Sequence, residues 1–368
     1  MPPLSMLIKP ASGACNMRCG YCFYADEARN RETYSFGMMS EDTMKNVIQK
    51  ALDFAEGSLS IGFQGGEPTL RGLAFFRAFC SEVRARNTGK ISVSYAIQTN
   101  GQVIDDEWAR FLHEEKFLAG LSLDGNETIH DRLRKGAGKS GTFARVMETA
   151  ELFRKYGVDF NILTVVTAYT AKNIDRIYRF FRKEGFLYQQ YIPCLDPLGE
   201  RRGGMDYSLT PELYTRFLKA LFDLWYDDVT HGRFIYIRHF ENMVGVLRGF
   251  RPEHCGMTGQ CSMQSVIEAD GSIYPCDFYV LDRYKLGNLN TDDYPLIIEN
   301  LKKTRFIEDS VTRQQECLSC RWLSVCRGGC RRDRDDTGGL PGKNYFCSSY
   351  KAFYEYAMPR LSLLARGR

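Results

Sequence analysis

No apolar run in this 368-residue sequence approaches the roughly 18 residues that a membrane-spanning helix needs. The opening stretch, MPPLSMLIKPAS, has neither a basic n-region nor an apolar segment long enough for a signal peptide. No membrane association is expected, and the expected location is the cytoplasm, where thiols stay reduced. Internal repeats and low-complexity linkers are missing too. So is a surplus of one charge: a net charge of +4 is too small to predict a nucleic-acid partner. Hydrophobic residues at 44% and charged residues at 26% are ordinary for a globular protein. A chain of this length buries roughly three-quarters of its unfolded surface, so its core needs no disulfide staples.

Cysteine is the exception to this ordinary composition. The chain has 13 of them, and most fall into two groups: 15, 19 and 22, then 255, 261, 276, 317, 320, 326, 330 and 347. In a reducing compartment, cysteines gathered this way read as metal or cluster ligands. The first group, in CNMRCGYCFY (15–24), is spaced C-x3-C-x2-C with no histidine nearby. Structural metal sites are closed, whereas catalytic sites keep one position open, so a count of three suits a site where something else must bind. Cys80 lies among apolar neighbours in LAFFRAFCSEVRAR and reads as a core thiol. Cys194 sits at a strand end near the expected site. The eight C-terminal cysteines suffice for two four-cysteine sites. Spacing alone leaves iron–sulfur and zinc equally open, and it would place Cys317, Cys320, Cys326 and Cys330 together.

From residue 4 to about 232, short β-rich runs alternate with amphipathic segments. The pattern predicts strands at 4–10, 59–64, 91–98, 117–123, 158–166 and 187–193. Helices are predicted near 40–56, 70–87, 105–116, 142–156, 172–184 and 210–230, the last with Thr210 as N-cap and Pro211 at its first position. Six β/α units imply parallel strands joined by right-handed crossovers, too few for an eight-stranded barrel. The predicted fold class is therefore α/β: a partial (β/α)6 TIM-like barrel over residues 1–233. The strands run into the cysteine triplet, QGGEP, QTNG, SLDG and CLDP, so polar residues gather where barrel enzymes keep their chemistry. Residues 234–368 form the second predicted domain. There CSMQSVIEADGSIYPCDFYV (261–280) reads as a hairpin about Asp270-Gly271. The segment 317–333 is too dense in Cys and Gly for an apolar core and must be organised around metal. The run CRGGCRRDRDD (326–336) interleaves arginine with aspartate and lacks aromatic stacking residues. It reads as a solvated loop rather than a nucleic-acid contact.

CNMRCGYC followed by GGEP at 65–68 resembles the radical S-adenosylmethionine enzymes, and the C-terminal cysteine pattern resembles their SPASM extension. FQGGEPTLRGLAFF, IQTNG, GLSLDG, FNILTVVT, CLDPL, GSIYPCDFYVLD and NYFCSSYKAFYEYAMPRL follow in order. Together they resemble the anaerobic sulfatase-maturating enzymes over nearly the whole chain, with GERRGGMD (199–206) matching least. That resemblance implies three [4Fe–4S] clusters and S-adenosyl-L-methionine. It assigns Cys15, Cys19 and Cys22 to the first cluster, Cys255, Cys261, Cys276 and Cys330 to a second, and Cys317, Cys320, Cys326 and Cys347 to a third. Cofactor contacts fall on Tyr21, Gly66, Ser122, Arg134 and Leu195; a guanidinium such as that of Arg134 presents a two-pronged fork to a carboxylate.

The implied reaction oxidises a Cys or Ser within a Cys/Ser-x-Pro-x-Arg segment of a sulfatase to Cα-formylglycine. A 5′-deoxyadenosyl radical takes hydrogen from Cβ, and Asp277, beside Cys276, is the implied proton acceptor. Tyr24 and Gln64, beside the triplet and the GGEP turn, are candidates for touching the target side chain. The implied partners are the sulfatase polypeptide and an external electron donor such as flavodoxin or ferredoxin, with the chain a monomer. Two other readings stand beside this one: a SPASM peptide maturase forming thioether or carbon–carbon crosslinks, and a zinc-stabilised binding module.

Overall fold

The structure is a computed structural model and describes residues 3–334 and 341–367. Residues 335–336, the end of the arginine–aspartate run, lie outside the described residues. The chain divides into two compact units. One comprises Met1–Leu123, Asp131–Asn161 and Met263–Thr304; the other comprises Asp124–His130, Ile162–Ser262 and Arg305–Arg368.

All six predicted strands form. They are β1 (Leu4–Ile8), β2 (Ser58–Phe63), β3 (Ser92–Thr99), β4 (Phe117–Ser122), β5 (Phe160–Val166) and β6 (Tyr188–Pro193). In the first unit β1 to β4 pair in parallel, with Leu4 opposite Leu59, Ser58 opposite Ser92 and Tyr95 opposite Phe117. The helices between them are α1 (Phe23–Arg29), α2 (Glu41–Phe54), α3 (Leu73–Arg86), α4 (Asp106–Glu114), α5 (Glu127–Leu133) and α6 (Phe143–Tyr156). Their ends follow local chemistry. Ser40 caps α2 by accepting from the Thr43 amide at 3.0 Å, and Asp105 caps α4 by accepting from Trp108 at 2.9 Å. Gly157 closes α6 in the left-handed conformation at φ +69°. Phe63 of β2 is wedged among Phe76 and Phe79 of α3 and Phe117 of β4, with ring centroids 4.9–6.1 Å apart. Cys80 is buried in this core, where burial pushes its thiol up to about 12.

The hairpin read at 261–280 forms from β8 (Val266–Ile267) and β9 (Ser272–Tyr274), antiparallel, with Gly271 at φ +87° in the turn. Its surroundings were not legible in the sequence. β8 also pairs in parallel with β1, Leu7 opposite Val266, and β10 (Gly287–Asn288) extends the sheet beyond β9. The order in this unit is β10-β9-β8-β1-β2-β3-β4.

In the second unit β5 and β6 pair in parallel, Ile162 opposite Gln189, and a two-residue β7 (Tyr236–Ile237) follows on β6. Their helices include α7 (Ala168–Lys172), α8 (Ile174–Lys183) and α9 (Pro211–Thr230). Thr210 caps α9 as expected, accepting from Leu213 at 3.3 Å ahead of Pro211. Phe222 of α9, Phe240 and Phe353 of the helix Cys347–Gly367 make the aromatic centre of this unit. Among the described residues no helix is long and apolar enough to cross a membrane.

Where β8 meets β1, charge is buried. Glu268 is fully buried, with Arg31 Nη1 at 2.6 Å and Lys9 Nζ at 3.5 Å. Burial pushes its carboxyl up, but Lys9 and Arg31 together outweigh that and hold it below the ordinary 4.5. The stability it contributes is therefore complete above that ordinary value and lost as pH falls through the lower folded one. Glu268→Gln leaves two buried cations short of their counter-charge, a loss on the order of 3–5 kcal/mol. Thermal unfolding of anaerobically purified protein at neutral pH should show a clearly lowered midpoint. An unchanged midpoint would mean that this ion cluster does not hold the hairpin.

Candidate active site

The triplet lies on the loop between β1 and α1, and Cys15, Cys19 and Cys22 are all half-buried. Two other strand ends fix this loop. The Gly66 amide donates to the Ser12 carbonyl at 3.0 Å and the Glu67 amide to the Ala14 carbonyl at 2.7 Å. Gly65 needs φ +110°, and a Cβ on Gly66 would run into the Ala14 carbonyl, so the GGEP turn requires both glycines. Glu67, which the sequence reading left without a role, is the latch of this region. Its buried carboxylate accepts from the Thr69 amide (3.1 Å) and hydroxyl (2.6 Å), the Thr99 hydroxyl (2.9 Å) and the Asn100 amide (2.7 Å). Burial raises its carboxyl above the ordinary range, and these bonds oppose the rise. Asn100, held by Glu67, points Nδ2 at Cys15 Sγ across 3.7 Å. The Cys15 thiol is pushed up to about 11, mainly by burial. A bound cation or metal cluster is what would hold it as thiolate.

On the other side of the triplet the Gly20 amide donates to the Leu133 carbonyl at 3.0 Å and Arg18 to Lys135 at 2.7 Å. This brings Arg134 over the Tyr21 ring, with its Cζ 5.4 Å from the centroid. Both are 7% exposed, so Arg134 is no solvated loop arginine. Ser122 ends β4 and is also buried. Leu195 follows β6 in the second unit and is half-buried. Cys194 is buried there, its thiol 3.6 Å from the Tyr207 carbonyl and pushed up to about 12 by burial. The stretch 199–206 is anchored by Arg202, which donates to the Asp333 carbonyl at 3.1 Å and lies over the Tyr345 ring.

Asp277 stands beyond the triplet in the first unit. Its Oδ2 accepts from Tyr24 Oη at 2.8 Å and Gln64 Nε2 at 2.6 Å, while Oδ1 is buried with no hydrogen-bond partner. The two residues expected to touch the target side chain, Tyr24 and Gln64, thus meet on the carboxylate of the expected proton acceptor. Around them is a cage that sequence reasoning missed. Lys9 Nζ lies 3.6 Å from Glu27 Oε2 and 3.5 Å from Glu268, and 4.8 Å above the Tyr24 ring. Two cations, Lys9 and Arg31, face three carboxylates, Glu27, Glu268 and Asp277. Glu268 is held ionised. Burial raises both other carboxyls against the pull of Lys9, Glu27 to about 8. The cage therefore accommodates one proton.

In the second unit the cysteines form two groups. Cys317, Cys320, Cys326 and Cys347 line one pocket with Trp322, Tyr350 and Tyr354. Cys330 is not among them; its half-buried thiol is pushed up by burial and then by Asp333, with Cys255 and Cys261 also acting on it. The reason is local: Arg327, Gly328 and Gly329 all have positive φ (50°, 91° and 72°), turning the chain sharply between Cys326 and Cys330. Cys276 lies in the first unit, half-buried ahead of Asp277. Four thiols around one cavity are a donor set that suits a four-iron cluster. Two arginines of the run, expected to be solvated, are not. Arg331 donates to the Phe306 carbonyl at 2.7 Å and Arg334 to Thr312 at 2.8 Å, and both are buried.

Known families match both cysteine-bearing regions. The Radical SAM superfamily model matches residues 10–181, and the SPASM iron–sulfur cluster-binding domain matches residues 255–321. The chain is thus a radical SAM protein, with a partial-barrel parallel sheet and a C-terminal SPASM domain, that binds S-adenosylmethionine, a [4Fe–4S] cluster and further iron–sulfur clusters. A cysteine-type anaerobic sulfatase-maturating enzyme of Clostridium perfringens (strain 13 / Type A) is 47% identical over 98% of both chains. Another, of Clostridium novyi (strain NT), is 45% identical over 100% of this chain and 98% of its own. The solved structure of native anSMEcpe with bound AdoMet and Cp18Cys peptide matches with a TM-score of 0.95 at 46% identity, covering 99% of both chains. The chain belongs to the anaerobic sulfatase-maturating enzymes.

Gly66→Ala forces the GGEP turn off the triplet loop. Cleavage of S-adenosylmethionine by the reduced protein should fall by about tenfold or more, equivalent to at least about 1.4 kcal/mol in the barrier. A wild-type rate would show that the turn has room for a side chain.

Proposed function

We propose that this chain oxidises the cysteine of a Cys-x-Pro-x-Arg segment in a newly made sulfatase to Cα-formylglycine. The observation that carries the reading is Asp277, held by Tyr24 and Gln64 with one buried oxygen left without a partner. Cysteine is preferred to serine as the target because the relatives at 45–47% identity are of the cysteine type. A peptide present in the matched solved structure supports a peptide substrate.

In this reading Cys15, Cys19 and Cys22 hold the first cluster, and Tyr21, Gly66, Ser122, Arg134 and Leu195 hold S-adenosylmethionine. Cys255, Cys261, Cys276 and Cys330 hold the second cluster, and Cys317, Cys320, Cys326 and Cys347 the third. The grouping of the thiols in the second unit supports this assignment. A functional boundary near residue 233 is supported by the two family matches, which lie on either side of it. When bound, these groups supply a 5′-deoxyadenosyl radical that takes one hydrogen atom from the target Cβ, and an acceptor for one further electron.

What the chain itself does is hold and move a proton. Gln64 and Tyr24 fix Oδ2 of Asp277, which leaves Oδ1 to take the proton released as the substrate carbon–sulfur double bond forms. Burial raises this carboxyl toward the range of a useful base, and Lys9 restrains the rise. Water then replaces sulfide to leave the aldehyde. An external donor such as flavodoxin or ferredoxin, a cytoplasmic location and a monomeric state complete the proposal.

The test offers reduced enzyme a Cys-x-Pro-x-Arg peptide and its Ser counterpart, with products read by mass. Aldehyde should form from the Cys peptide at least about tenfold faster, and unchanged peptides despite vigorous cofactor cleavage would favour a crosslinking maturase. Asp277→Asn should keep cofactor cleavage and lose aldehyde formation by at least about 100-fold, within the usual range for a general base. Full turnover by that variant would remove Asp277 from the role.

A further inference from the structure

One side chain joins the two cysteine groups of the second unit, and the reaction outlined above gives it no part. Half-buried Arg313 donates Nη1 to the carbonyls of Ser310 (2.7 Å) and Thr312 (3.0 Å). Its Nη2 donates to the carbonyls of Gly259 and of Arg327, the latter at 2.6 Å. Gly259 lies just ahead of Cys261, and Arg327 directly follows Cys326. One guanidinium therefore clasps the chain beside one cysteine group to the chain beside the other. The backbone leaves space for it: a Cβ on Gly328, at φ +91°, would come within 2.6 Å of Arg313 Nε.

Four carbonyls satisfy the Nη1 and Nη2 donors of Arg313 but not its charge, which a guanidinium keeps at any ordinary pH. Among the described residues no carboxylate pairs with it. Arg334 adds a like charge, donating to the same Ser310 and Thr312 carbonyls. The groups around Arg313 that become negative when they ligate metal as thiolates are Cys317, Cys326 and Cys261. Burial and then Arg334 hold its guanidinium below the ordinary value, and these cysteines oppose them. A fixed cation between two thiol groups has its counter-charge in the thiolates and in whatever they ligate. The potential of an iron–sulfur cluster is set by net charge, hydrogen bonding and exposure around it, so a fixed cation there favours the reduced form.

We propose that Arg313 is a positioning residue for the electron that leaves the substrate. It fixes the Cys261 loop against the Cys317–Cys326 loop, and its charge holds the auxiliary clusters at a potential where they accept that electron. The substrate radical loses one electron to these clusters and one proton to Asp277, which balances the step. This rests on the reading that both cysteine groups carry clusters.

The test uses anaerobically reconstituted wild-type, R313Q and R313K protein, first analysed for iron and sulfide and then titrated by EPR at controlled potential. Wild-type protein lacking auxiliary iron would overturn the cluster reading and this proposal together, before any variant is compared. With iron retained, R313Q should show an auxiliary cluster whose reduced-to-oxidised ratio at fixed potential is about tenfold lower, a shift of about 59 mV for one electron. R313K, which keeps the charge, should stay within about twofold of wild type. A wild-type ratio in iron-replete R313Q overturns the proposal, as does an equal fall in both variants, which would make Arg313 a strut. If R313Q loses auxiliary iron, R313K decides: iron and ratio near wild type support the charge, and iron loss in both overturns it.

Discussion

Lys9, buried at the end of β1, is the cation that three carboxylates must share, and the rest of the site is arranged around that shortage. Glu27 comes from α1, Glu268 from the end of β8 and Asp277 from the turn after β9, so three segments converge on one ammonium group. Burial opposes the charge on Lys9, and the three acids together more than restore it. Arg31 supplies the second positive charge and binds Glu268. Taking charges out of water is costly unless each is paired. With two cations for three acids, Glu268 is the one held low, while burial raises Glu27 and Asp277. The proposed proton acceptor thus stands among carboxyls whose proton affinity burial raises and Lys9 restrains.

The same arrangement brings the barrel strands to the chemistry. The Lys9 amide donates to the Ile267 carbonyl at 2.8 Å and Gln64 to the Ile8 carbonyl at 3.0 Å, so β8, β1 and β2 end in register beside Asp277. On the triplet side Glu67 does for backbone amides and hydroxyls what Lys9 does for carboxylates. It gathers β2, the turn after it and the end of β3 around the loop that carries Cys15. One cage is ionic and one is made of hydrogen bonds to a single carboxylate, and the cysteine triplet with Tyr24 runs between them.

Much of this was legible in the residues, for reasons that are local. Six strands and the helix at 211–230 announced themselves by alternation and by Thr210-Pro211, since caps and pleats depend on near neighbours. The triplet, GGEP and the Asp270-Gly271 turn were legible for the same reason. Long-range pairings were not. Nothing in VIEADGSIYP says that Val266 will lie beside Leu7, and α1 went unpredicted because its seven residues follow a cysteine loop rather than a capping residue. Cys330 shows the limit most plainly. Spacing joined it to Cys326, but three consecutive positive-φ residues turn the chain between them. Only the family resemblance implied the other grouping. Glu27 and Lys9 were invisible for the opposite reason: each looks like an ordinary surface charge until the fold buries it.

The central claim is that this assembly removes hydrogen from the β-carbon of a cysteine and passes the proton and electron on within the chain. The most direct measurement supplies a Cys-x-Pro-x-Arg peptide deuterated at both Cβ positions and follows the label in a single turnover. The account predicts one deuterium in the 5′-deoxyadenosine for each aldehyde formed, with one deuterium left on the aldehyde carbon. Aldehyde accompanied by unlabelled 5′-deoxyadenosine would contradict it.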